Sequence, residues 1–298
     1  MNAAQHLEYW AKRVEASLDA LLPPEQAAPP VIHRAMRYST LGGGKRLRGV
    51  LAVTACQAAG GDPERALPLA AALEMIHAYS LIHDDLPCMD DADLRRGKPS
   101  CHKVFGEAMA LLAGDALLTH AFWVLGRLPE LAGAPAHAAL AIVNEVGAAA
   151  STAGLIGGQV ADLEGEGRAE QITGDVLQAI HERKTGALFR ASLRTGALLG
   201  HPSAEVLAAL TRYGEELGLA FQITDDILDV VGDAASMGKR AGQDQQRQKA
   251  TYPALFGLER ARTMAAEAIE RACAAVEPLG DAGSLLADLV RWLGSRDR

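Results

Sequence analysis

The chain has 298 residues, 49% apolar and 22% charged, with a formal net charge of -8. That balance excludes a disordered or fibrous chain and is large enough for one sizeable core or two smaller ones. The acidic sign weighs against a nucleic-acid partner, and none is expected.

Abundant alanine, few aromatics and no sustained strand alternation predict closely packed helices. The start, Met1 to Trp10, lacks the basic-then-apolar pattern of a secretory signal. No run of 18 apolar residues is free of charge, so no membrane span is expected. Residues 3–22 read as an amphipathic helix closed by Pro23 and Pro24. Pro29 and Pro30 open the next, over 31–38, and a glycine-rich stretch, Gly42-Gly43-Gly44, interrupts it. A helix resumes at about 47 and runs to Ala59, before the turn Gly60-Gly61-Asp62-Pro63. Over 64–86, Leu69, Leu73, Ile76, Leu81 and Ile82 keep a helical period. Further helices are predicted over 107–127, 136–160, 174–199, 203–231 and 259–275, with polar loops at 87–103 and 232–249. No linker divides the chain, which reads as a single all-α domain over 1–298. Cys56, Cys88, Cys101 and Cys273 fit neither a zinc pair nor a disulfide framework, as expected of cytoplasmic thiols.

Two acidic clusters carry the chemistry. The segment from Asp84 to Asp93 holds five carboxylates in ten residues, directly after an apolar helix. Asp225-Asp226-Ile227-Leu228-Asp229 lies inside another apolar run, with Asp225 and Asp229 on one helix face. Like charges at that spacing repel, and placing them on an apolar helix is costly unless cations neutralise them. Oxygen ligands of this kind suit magnesium completed by substrate phosphates. Basic groups are set apart from them: Lys45, Arg46 and Arg48 after the glycines, Arg95 and Arg96 after the first cluster, Lys184 before Thr185, then Lys239, Arg240 and Lys249. Metals would hold one phosphorylated molecule, and guanidinium and ammonium groups a second. His77, seven residues before Asp84, shares its helix face and reads as a phosphate contact or a buried core histidine. Nothing supports a transition-metal site.

These segments together resemble the trans-isoprenyl diphosphate synthase family, nearest to its bacterial farnesyl diphosphate synthases. The first aspartate-rich motif matches Asp84 to Asp90 and the second matches Asp225 to Asp229, preceded by Phe221-Gln222. Gly43 to Arg48, Gly157-Gly158-Gln159, Lys184-Thr185, Gly238-Lys239 and Lys249 to Pro253 follow in order, and Arg296-Asp297-Arg298 resembles the family's usual end. Gly49 stands where the family usually has Pro, and Ala92 where close relatives carry an aspartate.

The resemblance implies the isoprenoid synthase fold, a bundle of long helices around a central cavity, and a homodimer. It implies three magnesium ions, with Asp84 and Asp90 holding two, Asp85 supporting, and Asp225 holding the third with Asp226 and Asp229 nearby. Arg95, Lys184 and Lys239 would grip an allylic diphosphate (dimethylallyl or geranyl), with Gln222 and Asp162 close by. Lys45, Arg48, His77 and Arg96 would grip isopentenyl diphosphate, and Thr185 and Gln222 would steady the allylic cation. Tyr79 and Ser80, five and four residues before Asp84, would set the cavity floor and stop the product near fifteen carbons. Rival readings are a geranylgeranyl or longer-chain synthase, a terpene cyclase, a non-catalytic partner subunit and a plain helical scaffold. Both complete acidic motifs and the retained basic groups weigh against the last three.

Overall fold

A computed structural model describes residues 2–231 and 249–295. Lys239, Arg240, Gly238 and Arg296-Asp297-Arg298 lie outside the described residues, so the expectations placed on them have no structural counterpart here. The helix α1 (Ala3–Leu21) starts at a capping box between Asn2 and Gln5. After α2 (Pro30–Thr40), α3 (Leu47–Ala58) and α4 (Leu67–Asp84) form the centre of the molecule. Both are apolar on nearly every side, as helices enclosed by others must be. They pack on each other, with α1 against both.

The helix α6 (Glu107–Gly126) lies along α4, and α8 (Ala136–Ala150) beside α6. Between α6 and α8 runs the short α7 (Leu128–Leu131). The chain continues through α9 (Leu155–Gly165), α10 (Gly174–His181) and α11 (Ala187–Leu199), the last packed against α3. The long α12 (Ala204–Val231) packs on α11 and on α14 (Leu258–Val276), which the short α13 (Tyr252–Phe256) precedes. The final α15 (Asp281–Gly294) returns to α1 and α3. One main core joins α1, α3, α4, α6 and α11. A smaller cluster of Leu177, Ile223, Ile227, Tyr252, Ala261 and Ala265 sits under the C-terminal half of α12.

The structure corrects four sequence expectations. The helix predicted over 136–160 is two helices, parted by the turn Ser151–Gly154. That turn has no Pro and one Gly, too weak a signal to read. The helix predicted over 174–199 contains a wide π turn at Glu182–Gly186. The loop predicted over 87–103 holds a two-residue hairpin, β1 (Leu94–Arg95) against β2 (Lys98–Pro99), and the start of α5 (Cys101–Phe105). The helix α15 was not predicted. Two stretches, Glu107–Gly126 and Ala136–Gly165, are long and apolar enough to cross a membrane by length and composition alone. The first packs on α2 and α4, and the second is cut by the Ser151 turn. All four cysteines are free, and only Cys88 is exposed.

Candidate active site

The helix α4 delivers Asp84 as its last residue and Asp85 as its cap. The chain then folds back on the helix end. The Asp90 amide donates to the Asp84 carbonyl at 2.7 Å, the Asp91 amide to the Leu86 carbonyl at 3.0 Å, and the Ala92 amide to the Asp85 carbonyl at 3.2 Å. The four residues between Asp85 and Asp90 thus form a closed loop that returns Asp90 to Asp84. Asp85 plays a different part. It is 2% exposed and its carboxylate is gripped by Arg95, whose Nε donates to the two oxygens at 3.0 and 3.2 Å while Nη2 pairs with Oδ1. Burial pushes the Asp84 carboxyl up to about 6, against Lys184 and Arg95 and with Asp90 and Asp85 adding to the rise. Lys184 is the strongest opposing charge, so the lysine of the third basic group faces the first acidic motif.

On α12 the second motif divides by burial. Asp225 is exposed, while Asp226 and Asp229 are buried. Both Asp226 oxygens are occupied: Gln222 Nε2 donates to one at 2.9 Å and the Tyr252 amide to the other at 3.0 Å. Gln222 Oε1 in turn accepts from the Thr185 hydroxyl at 3.0 Å. This chain of donors fixes which way the Gln222 amide faces. Asp229 Oδ1 is buried with no hydrogen-bond partner.

Lys184 and Thr185 sit in the π turn, which adds a residue to the helix and turns both side chains towards α9 and α12. Gly158 of α9 makes this possible, because a Cβ there would lie 2.2 Å from the Lys184 backbone nitrogen. In the sequence motif Gly157-Gly158-Gln159 it is therefore Gly158 that seats the π turn, while Gly157 packs on the Thr152 backbone. Asp162, one turn further along α9, accepts from Lys184 Nζ at 2.7 Å and from Lys249 Nζ at 3.0 Å. Burial acts to raise its carboxyl, but the two lysines outweigh it and hold it at about 2.

Burial pulls His181, just before the π turn, down to about 4, with Lys184 and Lys249 acting in the same direction and Asp162 opposing. Its folded value lies below the ordinary 6.5, so the unfolded chain takes up the proton first as pH falls. The contribution is complete above pH ~6.5 and is lost progressively down to pH ~4, about 2 kcal/mol of it by pH 5. Urea midpoints at pH 7.5 and pH 5 should differ more in the wild type than in His181→Gln; equal differences would show that this histidine is not buried neutral.

The glycine-rich stretch and the hairpin meet. Arg96 donates through Nη1 to the Gly43 carbonyl, and a Cβ on Gly44, whose φ is +116°, would lie 2.7 Å from the Arg96 guanidinium carbon. Only glycine leaves that guanidinium its seat. Arg48 lies over the Phe189 ring at 4.8 Å and Lys45 over Trp292 at 5.0 Å. Neither aromatic was a candidate from sequence: Trp292 belongs to the unpredicted α15, and Phe189 is one apolar residue among many on α11. Burial holds His77 well below its usual range, and Arg48, Arg96, Arg95 and Arg46 push it the same way, so it is neutral. Tyr79 is 4% exposed, its hydroxyl buried without a partner and its ring edge-on to His83 at 5.7 Å. The Ser80 hydroxyl turns back to the His77 carbonyl at 2.9 Å.

Thus α4, the hairpin, α9, the π turn and α12 bring the two acidic motifs, Arg95 and Lys184 to one place, with the Arg48–Arg96–His77 group beside them. A family model described as polyprenyl synthetase matches residues 29–282. The chain belongs to the polyprenyl synthetase family. It is 46% identical to the farnesyl diphosphate synthase of Escherichia coli (strain K12), over 94% of this chain and 93% of that one. It is 47% identical to geranylgeranyl pyrophosphate synthase 12, chloroplastic, of Arabidopsis thaliana, over 94% of this chain and 77% of that one. The crystal structure of a geranyltransferase from Legionella pneumophila superposes with a TM-score of 0.87 at 34% identity, covering 99% of this chain and 97% of that one. The all-α fold is that of the family, and the protein is an enzyme of its kind, a chain-elongating prenyltransferase. Magnesium dependence goes with membership.

Proposed function

We propose that this enzyme joins isopentenyl diphosphate head to tail with dimethylallyl and then geranyl diphosphate, releasing diphosphate and giving farnesyl diphosphate. The observation that carries the C15 assignment is Tyr79, a buried ring one turn and a half before Asp84 on the same helix.

The donors fit magnesium. All are carboxylates, the ligands of a hard divalent cation, and Asp229 Oδ1 is buried and unpartnered. Among the described residues no three His, Cys, Asp or Glu side chains form a metal cage by themselves, and magnesium at this site would take diphosphate oxygens as further ligands. Asp84, Asp90 and Asp225 would hold the ions, three in all, with Asp229 near the last. Asp226 and Asp85, each held by neighbours, would orient Gln222 and Arg95. Bound magnesium supplies positive charge to a departing diphosphate.

The chain's own groups account for the rest. Arg95, released from Asp85, and Lys184, released from Asp162, take the allylic diphosphate; Lys239 joins them on the family pattern. Preformed cations at the bond that breaks are the electrostatic contribution that usually dominates such a reaction. The oxygens of Thr185 and Gln222, fixed by the donor chain to Asp226, face the developing allylic cation. Arg48, Arg96, Lys45 and neutral His77 hold isopentenyl diphosphate so that its double bond attacks from a set position. The proton lost afterwards passes to the released diphosphate.

A homodimer also belongs to this reading. Leu111, Leu112 and Trp123 are exposed on α6, and Leu140 on α8 beside it, apolar side chains that a second copy would cover. Sedimentation should give about twice the 31.3 kDa of the chain; a monomer at micromolar concentration removes the dimer from the proposal.

The deciding experiment incubates the purified chain with magnesium, isopentenyl diphosphate and either allylic starter, and sizes the dephosphorylated products by mass. A dominant C15 alcohol is expected. C20 or longer overturns the length assignment, an untouched starter points to a partner subunit, and a cyclic hydrocarbon to a different reaction.

A further inference from the structure

Beneath the isopentenyl-diphosphate arginines lies a carboxylate that neither the acidic motifs nor the basic groups include. Glu74 is on α4, one turn before His77, and is 2% exposed. A lone glutamate buried in an apolar helix is costly unless fully paired. Its Oε1 accepts the Gly49 amide at 3.0 Å, and its Oε2 lies 4.0 Å from Arg46 Nη1. Gly49 is in the first turn of α3, where amides have no partner within the helix. A family-typical Pro at 49 has no such amide to give, so this chain's departure from the pattern makes the contact.

Arg46 is the other half of the arrangement. It is buried, holds a left-handed backbone at φ 50°, donates to the Thr40 carbonyl at 2.7 Å and pairs with Glu15 of α1. It is flanked by Lys45 and Arg48's neighbour Leu47, yet it points away from them into the α1–α4 interface. Arg46 is thus an anchor and not a substrate contact.

We propose that Glu74 is the positioning residue of the isopentenyl-diphosphate pocket: with Arg46 and Glu15 it clamps the start of α3 so that Arg48 is aimed before substrate arrives. The inference rests on the proposed function, since it needs Arg48 to be a diphosphate ligand. Four guanidiniums, Arg46, Arg48, Arg95 and Arg96, act together on His77. Such a cluster repels itself and needs internal anions to stay assembled. Arg95 has Asp85. For Arg48, burial lowers the guanidinium to about 10, and Glu74 is the foremost charge opposing that fall. For Arg96, too, Glu74 is the foremost opposing anion. A carboxylate at the first turn of α3 also complements the positive end of that helix.

Glu74→Gln tests this, because the amide oxygen can still accept from Gly49 while the charge is gone. In full-length enzyme with magnesium, KM for isopentenyl diphosphate at saturating geranyl diphosphate should rise at least tenfold. KM for geranyl diphosphate should stay within twofold. Glu15→Gln, at the half-exposed far end of the clamp, should shift the same KM in the same direction by about two- to fivefold, and it decides the matter if Glu74→Gln does not fold. Unchanged isopentenyl KM values, or both KM values rising together with a lowered Tm, overturn the inference and leave the proposed function standing. A wild type that makes no carbon–carbon bond from these two substrates removes both.

Discussion

Asp84→Asn is expected to lower kcat by about a thousandfold or more while leaving the fold at least as stable as the wild type. Asp84 terminates α4, where the helix presents its negative end. Asp85 and Asp90 stand close by, and burial pushes its carboxyl up to about 6. An ionised Asp84 at neutral pH is therefore held against its surroundings, at a cost on the order of 1–3 kcal/mol. Asparagine keeps the shape and removes that cost. On the proposed function the same charge would hold magnesium against the diphosphate, and a thousandfold loss is about 4 kcal/mol of barrier. Turnover and thermal melting measured on one metal-free and one magnesium-loaded sample separate the two effects. Activity within tenfold of wild type, or a variant inactive because it unfolds, would sink the argument.

Tyr79→Ala is expected to move the main product from C15 to C20 or beyond. The phenol fills space against His83, with its hydroxyl buried and satisfied by no partner. Its role in the argument is volume, and Tyr79→Phe should accordingly keep a C15 product and lose no stability, since it removes an orphaned hydroxyl. The alanine variant leaves a cavity costing about 3–5 kcal/mol in the empty protein, which a longer tail can fill. Product masses from the two variants decide it. If phenylalanine lengthens the product, the hydroxyl and not the ring sets the stop; if alanine does not, the floor lies elsewhere.

Much of the candidate site was legible because its parts are local in sequence. Asp84 to Asp90 and Asp225 to Asp229 are short runs of one residue type in apolar surroundings, and such runs are costly enough to be informative. What was not legible depended on residues far apart. Nothing in the sequence says that Asp85 is gripped by Arg95, since a ten-residue loop has to close into a hairpin first. Nothing says that Asp226 has both oxygens occupied, because one donor is the backbone of Tyr252. Lys45 meets Trp292 only because α15 folds back across the molecule. Glu74 was not among the sequence candidates, and its partners, Gly49 and Arg46, are fixed by a backbone conformation that composition does not reveal. Helix boundaries failed where the cause was weak or hidden, as at Ser151–Gly154.

The wide turn between α10 and α11 also lets one continuous stretch of helix belong to two cores. Leu177 and Leu188 are eleven residues apart, a spacing that puts both on one stripe of a regular α-helix, within about 20° of each other. The extra residue in the turn rotates the two halves by about 100° relative to that stripe. Leu177 then joins the small cluster beneath the second aspartate motif, while Leu188 and Phe189 join the main core. Lys184 and Thr185, proposed to face the allylic diphosphate and the cation it leaves, sit at the seam, so the two halves of the molecule are mechanically joined at these two residues.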